Sequence, residues 1–394
     1  LHEFELAALA WWRREGGSLE QHPLASVGLP VRRALRLERA RGTDEFTEWD
    51  GYIGARALES ERLSGALTRV LSPTRLESWA ECPFRFFLGS VLSIGALETP
   101  EELLTISPID RGKLVHVILE RFVRESLSAV LLFSTNARGA GGSRRILAIA
   151  EEEFGKVEER GLTGQRVMWE AVKEEIRHDL ETFLERDAEW KAERGVYPRH
   201  VEFPFGFEGP PVTLGLPDGG RISFRGVIDR VDLDRDRLRA VVIDYKTGST
   251  YAYQGMRKDP LGRGTHLQLP IYALAVRDAL GGILRPHASV AAEYWFVSAK
   301  GRFHRETIQL DNVEANFQAT VQTIVRGIRG GVFPADPGRS TQFGSANCSS
   351  CDFDQLCPAD RQRLWERKRS SPRAGAYTKL SEVDSVVSGD GDGT

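Results

Sequence analysis

The chain has 394 residues, 41% hydrophobic and 28% charged, an ordinary globular balance that excludes a largely disordered polymer. No stretch approaches about 18 uncharged apolar residues, so no membrane span is expected. The 53 basic and 56 acidic residues give a net charge of −3, so any nucleic-acid surface must be a local basic patch.

Residues 1–70 read as a charged helical extension broken at Gly16-Gly17, Pro23 and Pro30. The segment shows no charged region followed by an apolar one, so no signal peptide is expected, and the chain opens on Leu1 rather than Met. Ser72-Pro73 starts a helix running through Trp79 toward Cys82-Pro83. Ser107-Pro108-Ile109-Asp110 starts another, with Val115, Ile118, Leu119, Phe122 and Val123 at helical spacing. Thr135–Ser143 is Gly-rich and reads as a loop, and helical patterns then continue to about Arg194.

The texture changes at residue 201. Val201–Phe207, Arg221–Leu233 and Leu238–Lys246 alternate as strands, the last two joined by the polar turn Asp234-Arg235-Asp236-Arg237. A helix is expected from about Thr265 to Leu280, strands over Ser289–Ser298 and Arg302–Leu310, and a helix over 311–330. The last 20 or so residues are rich in Ser, Asp and Gly and are expected to be disordered.

Chemistry concentrates in the hairpin. A turn centred on 234–237 sets Asp229 opposite Val242 and Asp244 opposite Val227. Asp229, Asp244 and Lys246 then share one face of the sheet, the carboxylates being diagonal neighbours about 7–8 Å apart at the backbone. Carboxylates at that spacing can share a hard cation such as Mg²⁺, and a lysine beside them can orient water or neutralise a phosphate. The competing reading is a charged pair on a solvated face. The flanking Val-Ile and Val-Val-Ile runs argue for buried strands, in which unpartnered carboxylates are costly. Asp232-x-Asp234-x-Asp236 imitates an EF-hand loop, but Arg237 and Ile243 stand where Gly and Glu are required, so it reads as a polar turn.

Cys348, Cys351 and Cys357 cluster, with Cys82 far upstream. In a cytoplasmic chain, the expected setting, such a pattern points to metal or redox chemistry rather than disulfides.

In order along the chain stand Gly112-Lys113-Leu114-Val115-His116, Gly226-Val227-Ile228-Asp229-Arg230, Asp244-Tyr245-Lys246-Thr247-Gly248 and Gln268-Leu269-Pro270-Ile271-Tyr272. This set resembles the RecB-like branch of the PD-(D/E)XK nuclease superfamily, most of all the C-terminal nuclease domain of AddB-type helicase–nuclease subunits, over roughly residues 72–366. The resemblance implies an α/β fold with a restriction-endonuclease-like core. A mixed central sheet would be flanked by helices, with a helical N-terminal extension over 1–70, the nuclease domain over 71–366, and a basic then disordered tail over 367–394.

The resemblance further implies that Asp229, Asp244 and the Tyr245 carbonyl ligate Mg²⁺ or Mn²⁺. His116 would be a further ligand or organiser, Lys246 would stand beside the attacking water, and Gln268 and Tyr272 would position the lysine or the DNA backbone. Glu202 is a candidate further carboxylate, against a solvated strand residue. Cys82, Cys348, Cys351 and Cys357 would hold a [4Fe–4S] cluster, with zinc the chemical rival because four thiolates also suit a tetrahedral site. Arg75, Arg85, Arg230, Arg257, Lys258 and Arg263 are candidate phosphate contacts. The basic run Arg361–Arg373 either touches nucleic acid or caps a helix.

The implied activity is metal-dependent exonucleolytic DNA hydrolysis in double-strand break repair and recombination, with an AddA-like partner subunit. The chain has no G-x-x-x-x-G-K-[ST] motif, so ATP-driven unwinding would have to come from elsewhere. Two rivals are a stand-alone RecB-like or CRISPR-associated-type exonuclease, and a DNA-binding scaffold with a dead site. The intact Asp229, Asp244 and Lys246 set argues against the second.

Overall fold

The computed structural model describes residues 10–16, 29–54, 65, 70–95, 104–132, 140–207, 209–341, 344–349 and 351–382. Its helices and strands, in chain order, are α1 (Leu29–Gly42), α2 (Pro73–Glu81), α3 (Pro108–Leu132), α4 (Ala140–Glu159), α5 (Arg166–Arg194), β1 (Val196–Phe205), β2 (Val212–Gly215), β3 (Arg221–Phe224), β4 (Gly226–Asp234), β5 (Arg239–Lys246), α6 (Gln268–Ala279), β6 (Ser289–Phe296), β7 (Arg305–Gln309), α7 (Leu310–Arg329), α8 (Arg361–Lys368) and α9 (Gly375–Ser381). The chain forms two compact units. One comprises residues 68–77 and 97–322, the other residues 1–67, 78–96 and 323–394.

The unit containing residues 97–322 is built on a five-stranded mixed sheet in the order β1-β4-β5-β6-β7. Only β5 and β6 run parallel, and the other neighbours are antiparallel. The helices α3, α4 and α5 cover one face. Ile118, Leu119, Phe122, Ile149, Phe154, Ile176 and Phe183 pack there with Val241, Ile243, Tyr245 and Trp295 from the strands. Strand side chains alternate, so Val242, Asp244 and Lys246 point the other way, toward the layer formed by α6. This is the expected helix-flanked mixed sheet.

Local chemistry fixes the helix ends. Ser107 Oγ accepts the Asp110 N–H at 3.0 Å and donates to Asp110 Oδ2 at 2.7 Å, closing the first turn of α3 behind Pro108. Gly195, with φ +64°, ends α5 in the left-handed conformation.

Four details differ from the sequence reading. The hairpin pairs Arg230 with Ile243 and Leu233 with Ala240, two residues out of the expected register. The cause is Asp234, whose Oδ1 accepts the N–H groups of Leu238 and Arg239 and so moves the turn one residue later. A slip of two preserves the faces. Second, Arg221–Leu233 is two strands, since β3 pairs with β2 in a separate ribbon while β4 joins the main sheet. Third, Ala140–Ser143 is helical rather than loop, because glycines in a first turn give up no intrahelical N–H bond; residues 133–139 lie outside the described residues. Fourth, Gly375–Ser381 is helical rather than disordered, while residues 383–394, the rest of the expected tail, lie outside the described residues.

Packing within the other unit explains the order of α9. Tyr377 is buried, meets the rings of Trp79 and Trp365 edge-on at 5.4 and 5.5 Å, and donates to Asp336 Oδ2 at 2.7 Å. The preceding basic run is also partly internal. Lys368 is 2% exposed and donates to the Ala40 and Glu45 carbonyls and to Asp50 Oδ2. The helical expectation for residues 1–70 is met over α1; residues 1–9, 17–28, 55–64 and 66–69 lie outside the described residues.

Candidate nuclease site

The β4–β5 ladder closes at Arg230 opposite Ile243. Beyond it a side chain takes over the pairing, as Asp229 Oδ2 accepts the Tyr245 N–H at 2.7 Å. The other Asp229 oxygen lies 3.4 Å from His116 Nδ1, on α3. Burial works against a charged imidazole, but the contact with Asp229 outweighs it and His116 is held above its ordinary range.

Asp244 is 4% exposed. Its Oδ2 makes no hydrogen bond and lies 2.6 Å from Lys246 Nζ as an ion pair. Burial pushes the Asp244 carboxyl up to about 6 against the pull of that lysine. Lys246 is itself raised, because Asp244 outweighs the cost of burying the ammonium. Lys246 Nζ also donates to Gln268 Oε1 at 2.9 Å, and Gln268 Nε2 donates to Tyr272 OH at 3.0 Å. The i, i+4 spacing on α6 thus delivers a continuous chain Asp244–Lys246–Gln268–Tyr272.

Glu202 joins Asp229, His116 and Glu120 around a groove beside α3. It sits inside β1 with φ +48°, a conformation costly for a non-glycine residue and associated with functional positions. Burial, then the carboxylates of Asp229 and Glu120, push Glu202 up to about 7. Glu120 was legible only as the i+4 neighbour of His116. Glu77, which accepts the N–H groups at the start of α6, carried no sequence signal.

The structure therefore brings together His116, Asp229, Asp244, Tyr245, Lys246, Gln268 and Tyr272. It removes Arg230 from the candidate DNA contacts. Arg230 is fully buried, bonded to both oxygens of Asp232 at 2.6 and 2.5 Å and to Asp187 Oδ1 at 2.8 Å. The alternation that points Asp229 one way points Arg230 into the helical layer. Arg85 is half-buried and ion-paired with Glu81 at 3.0 Å, and Arg75 is half-buried.

All four cysteines line one pocket, with Arg85, Asp336, Asn347 and Arg361. Burial pushes the Cys82 thiol up to about 12 and Cys357 up to about 11. Among the described residues, no three His, Cys, Asp or Glu side chains already converge as a finished metal cage. The donor chemistry nevertheless fits in both places. The hydrogen-bond-free, buried Asp244 oxygen beside Asp229 suits a hard cation, and four thiols in one pocket suit a soft metal centre.

Two carboxylates and a lysine at the end of a mixed sheet, with a histidine from one helix and a Gln–Tyr pair from another, define a phosphodiester-hydrolase type of site. The family model for the PD-(D/E)XK nuclease superfamily matches residues 70–358, and the chain belongs to that superfamily. The chain is also similar to proteins named as AddB-type subunits of an ATP-dependent helicase/deoxyribonuclease. The one from Symbiobacterium thermophilum is 34% identical over 261 residues, 64% of this chain and 20% of the relative. Those from Moorella thermoacetica and Clostridium acetobutylicum are 28% identical over 246 residues and 27% over 216, covering 61% and 53% of this chain and 20% and 18% of the relatives. The chain thus spans about a fifth of the length of the curated relatives it matches. No helix among the described residues is long and apolar enough to cross a membrane.

Proposed function

We propose that the chain is the nuclease part of an AddB-like subunit, hydrolysing DNA phosphodiesters exonucleolytically in double-strand break repair and recombination beside an AddA-like helicase partner. The observation that carries this reading is the buried Asp244 oxygen without a hydrogen bond, 2.6 Å from Lys246 and on the same strand end as Asp229. The names of the relatives supply the setting, and the superfamily match supports the nuclease chemistry.

In this reading Asp229, Asp244, the Tyr245 carbonyl and His116 hold Mg²⁺ or Mn²⁺, which when bound supplies Lewis-acid stabilisation of charge on the scissile phosphate. The chain's own residues do the rest. Lys246 orients the attacking water and neutralises developing negative charge. Gln268 fixes the lysine, and Tyr272 fixes Gln268. Water adds its oxygen to phosphorus, the P–O bond to the leaving sugar oxygen breaks, and that oxygen takes up a proton. Cys82, Cys348, Cys351 and Cys357 hold a [4Fe–4S] cluster, joining segments far apart in the chain.

The test is Mg²⁺-dependent cleavage of end-labelled single- and double-stranded DNA by anaerobically purified protein, with Asp244→Ala and Lys246→Ala beside it. Iron, sulfide and zinc are assayed on the same preparation. Cleavage lost in both variants, with about four iron atoms per chain expected, supports the reading. Folded, metal-loaded protein that leaves DNA intact refutes the nuclease, and stoichiometric zinc without sulfide refutes the cluster.

A further inference from the structure

Gln268 must present its amide oxygen to Lys246, because an ammonium only donates, and its NH₂ to Tyr272 OH. That orientation is only as well fixed as the backbone of Gln268, which opens α6. The first turn of a helix has N–H groups without intrahelical partners. The residue before it, Leu267, has no side chain able to cap them. The acceptor comes from α2, about 190 residues earlier in the chain. Glu77 Oε1 takes the Leu267 N–H at 2.7 Å and the Gln268 N–H at 2.9 Å. A carboxylate at a helix N-terminus is also favoured by the helix dipole.

Resting on the nuclease reading above, we infer that Glu77 is a positioning residue for the catalytic lysine, acting through the backbone of Gln268 and touching neither metal nor DNA. The contact runs from Glu77 to the Gln268 N–H, from the Gln268 amide to Lys246 Nζ, and from Lys246 to Asp244 Oδ2. What matters at position 77 is an acceptor oxygen of the right reach, so glutamine should serve nearly as well as glutamate and alanine should not.

The test compares Glu77→Ala, Glu77→Gln, Gln268→Ala and the Glu77→Ala/Gln268→Ala double variant in Mg²⁺-dependent DNA cleavage, with amide hydrogen exchange on each. Glu77→Ala should lower kcat on the order of 10- to 100-fold with KM little changed. Glu77→Gln should recover most of that loss, and the double variant should be no slower than Gln268→Ala alone. The Leu267 and Gln268 amides should exchange faster in Glu77→Ala while the rest of α6 stays protected.

Unchanged kcat in Glu77→Ala overturns the inference. So does an additive double variant, or a loss shared equally by Gln and Ala together with the thermal midpoint, since those mark a merely structural acid. If the wild-type chain does not cleave DNA, the nuclease reading fails on its own. Exchange at residues 267 and 268 then still decides whether Glu77 holds the start of α6.

Discussion

The strands β4 and β5 carry two clusters of buried charge that differ in one respect. Around Arg230, every charge is answered. Asp232 takes the guanidinium with both oxygens, Asp187 takes a third bond, and Lys191 lies 2.5 Å from Asp187. Burial opposes the charge on Arg230, but Asp187 and Asp232 outweigh it and hold the group protonated. Around Asp244 the set stays open, with a buried oxygen lacking a hydrogen bond and a carboxyl lifted toward neutrality. A closed cluster has nothing left to offer a ligand, whereas an open one is poised to receive a cation or a proton. Neighbouring residues of one strand, Asp229 and Arg230, fall on opposite sides of this divide.

The comparison can be broken most severely at Arg230. Arg230→Ala should cost about 3–5 kcal/mol by leaving Asp187 and Asp232 buried and unpaired. Denaturant unfolding would show it, and any cleavage loss should track the unfolded fraction. Asp244→Asn should do the reverse, with DNA cleavage falling on the order of a thousandfold, about 4 kcal/mol of barrier. The unfolding midpoint should move little, because a neutral amide relieves the buried charge. An Asp244→Asn protein that unfolds readily would place both clusters in one structural class.

Glu77 sharpens the contrast through pH. Burial pushes its carboxyl up to about 7, against the Leu267 and Gln268 N–H groups and Lys246, which favour the charged form, while Asp244 opposes it. A group whose folded pKa is raised binds a proton on folding. Its stabilisation is complete below about 4.5 and fades as pH rises through about 7, by about 2–3 kcal/mol. Unfolding measured from pH 4.5 to 7.5 should therefore slope less in Glu77→Gln than in wild type. The smallest effect should come from Tyr272→Phe, which removes one hydrogen-bond partner of Gln268 and should slow cleavage by about 1 kcal/mol, roughly fivefold.

Much of this was legible because alternation is robust. An error of two residues in the hairpin register left Asp229, Asp244 and Lys246 where they were expected, and the four-residue spacing of Gln268 and Tyr272 could only mean one helix face. Arg230 was misread because it stands among the site residues in sequence. Its burial depends on Asp187, in a helix more than forty residues upstream. Glu77 was invisible for the same reason, since its partners are the backbone N–H groups of Leu267 and Gln268 and backbone groups leave no mark on sequence. The strained conformation of Glu202 is likewise set by β1 pairing, not by the residue's own preferences. The shape of the tail was missed because composition spoke for the final residues and hid Tyr377.

The division of the chain into two units has a consequence during synthesis. Residues 97–322 follow one another without interruption, so their five-stranded sheet can form as soon as α7 begins to emerge. The other unit draws on residues 78–96 and then on 323–382. At about 5–20 residues per second, Cys82 waits on the order of tens of seconds for Cys348, Cys351 and Cys357 to be made. Over that interval Trp79 and Phe86 have none of their later partners, Phe333, Trp365 and Tyr377. A ribosome stalled between residues 322 and 348 would therefore display a finished sheet together with an unfinished apolar surface, and that intermediate is where a chaperone would be expected to bind.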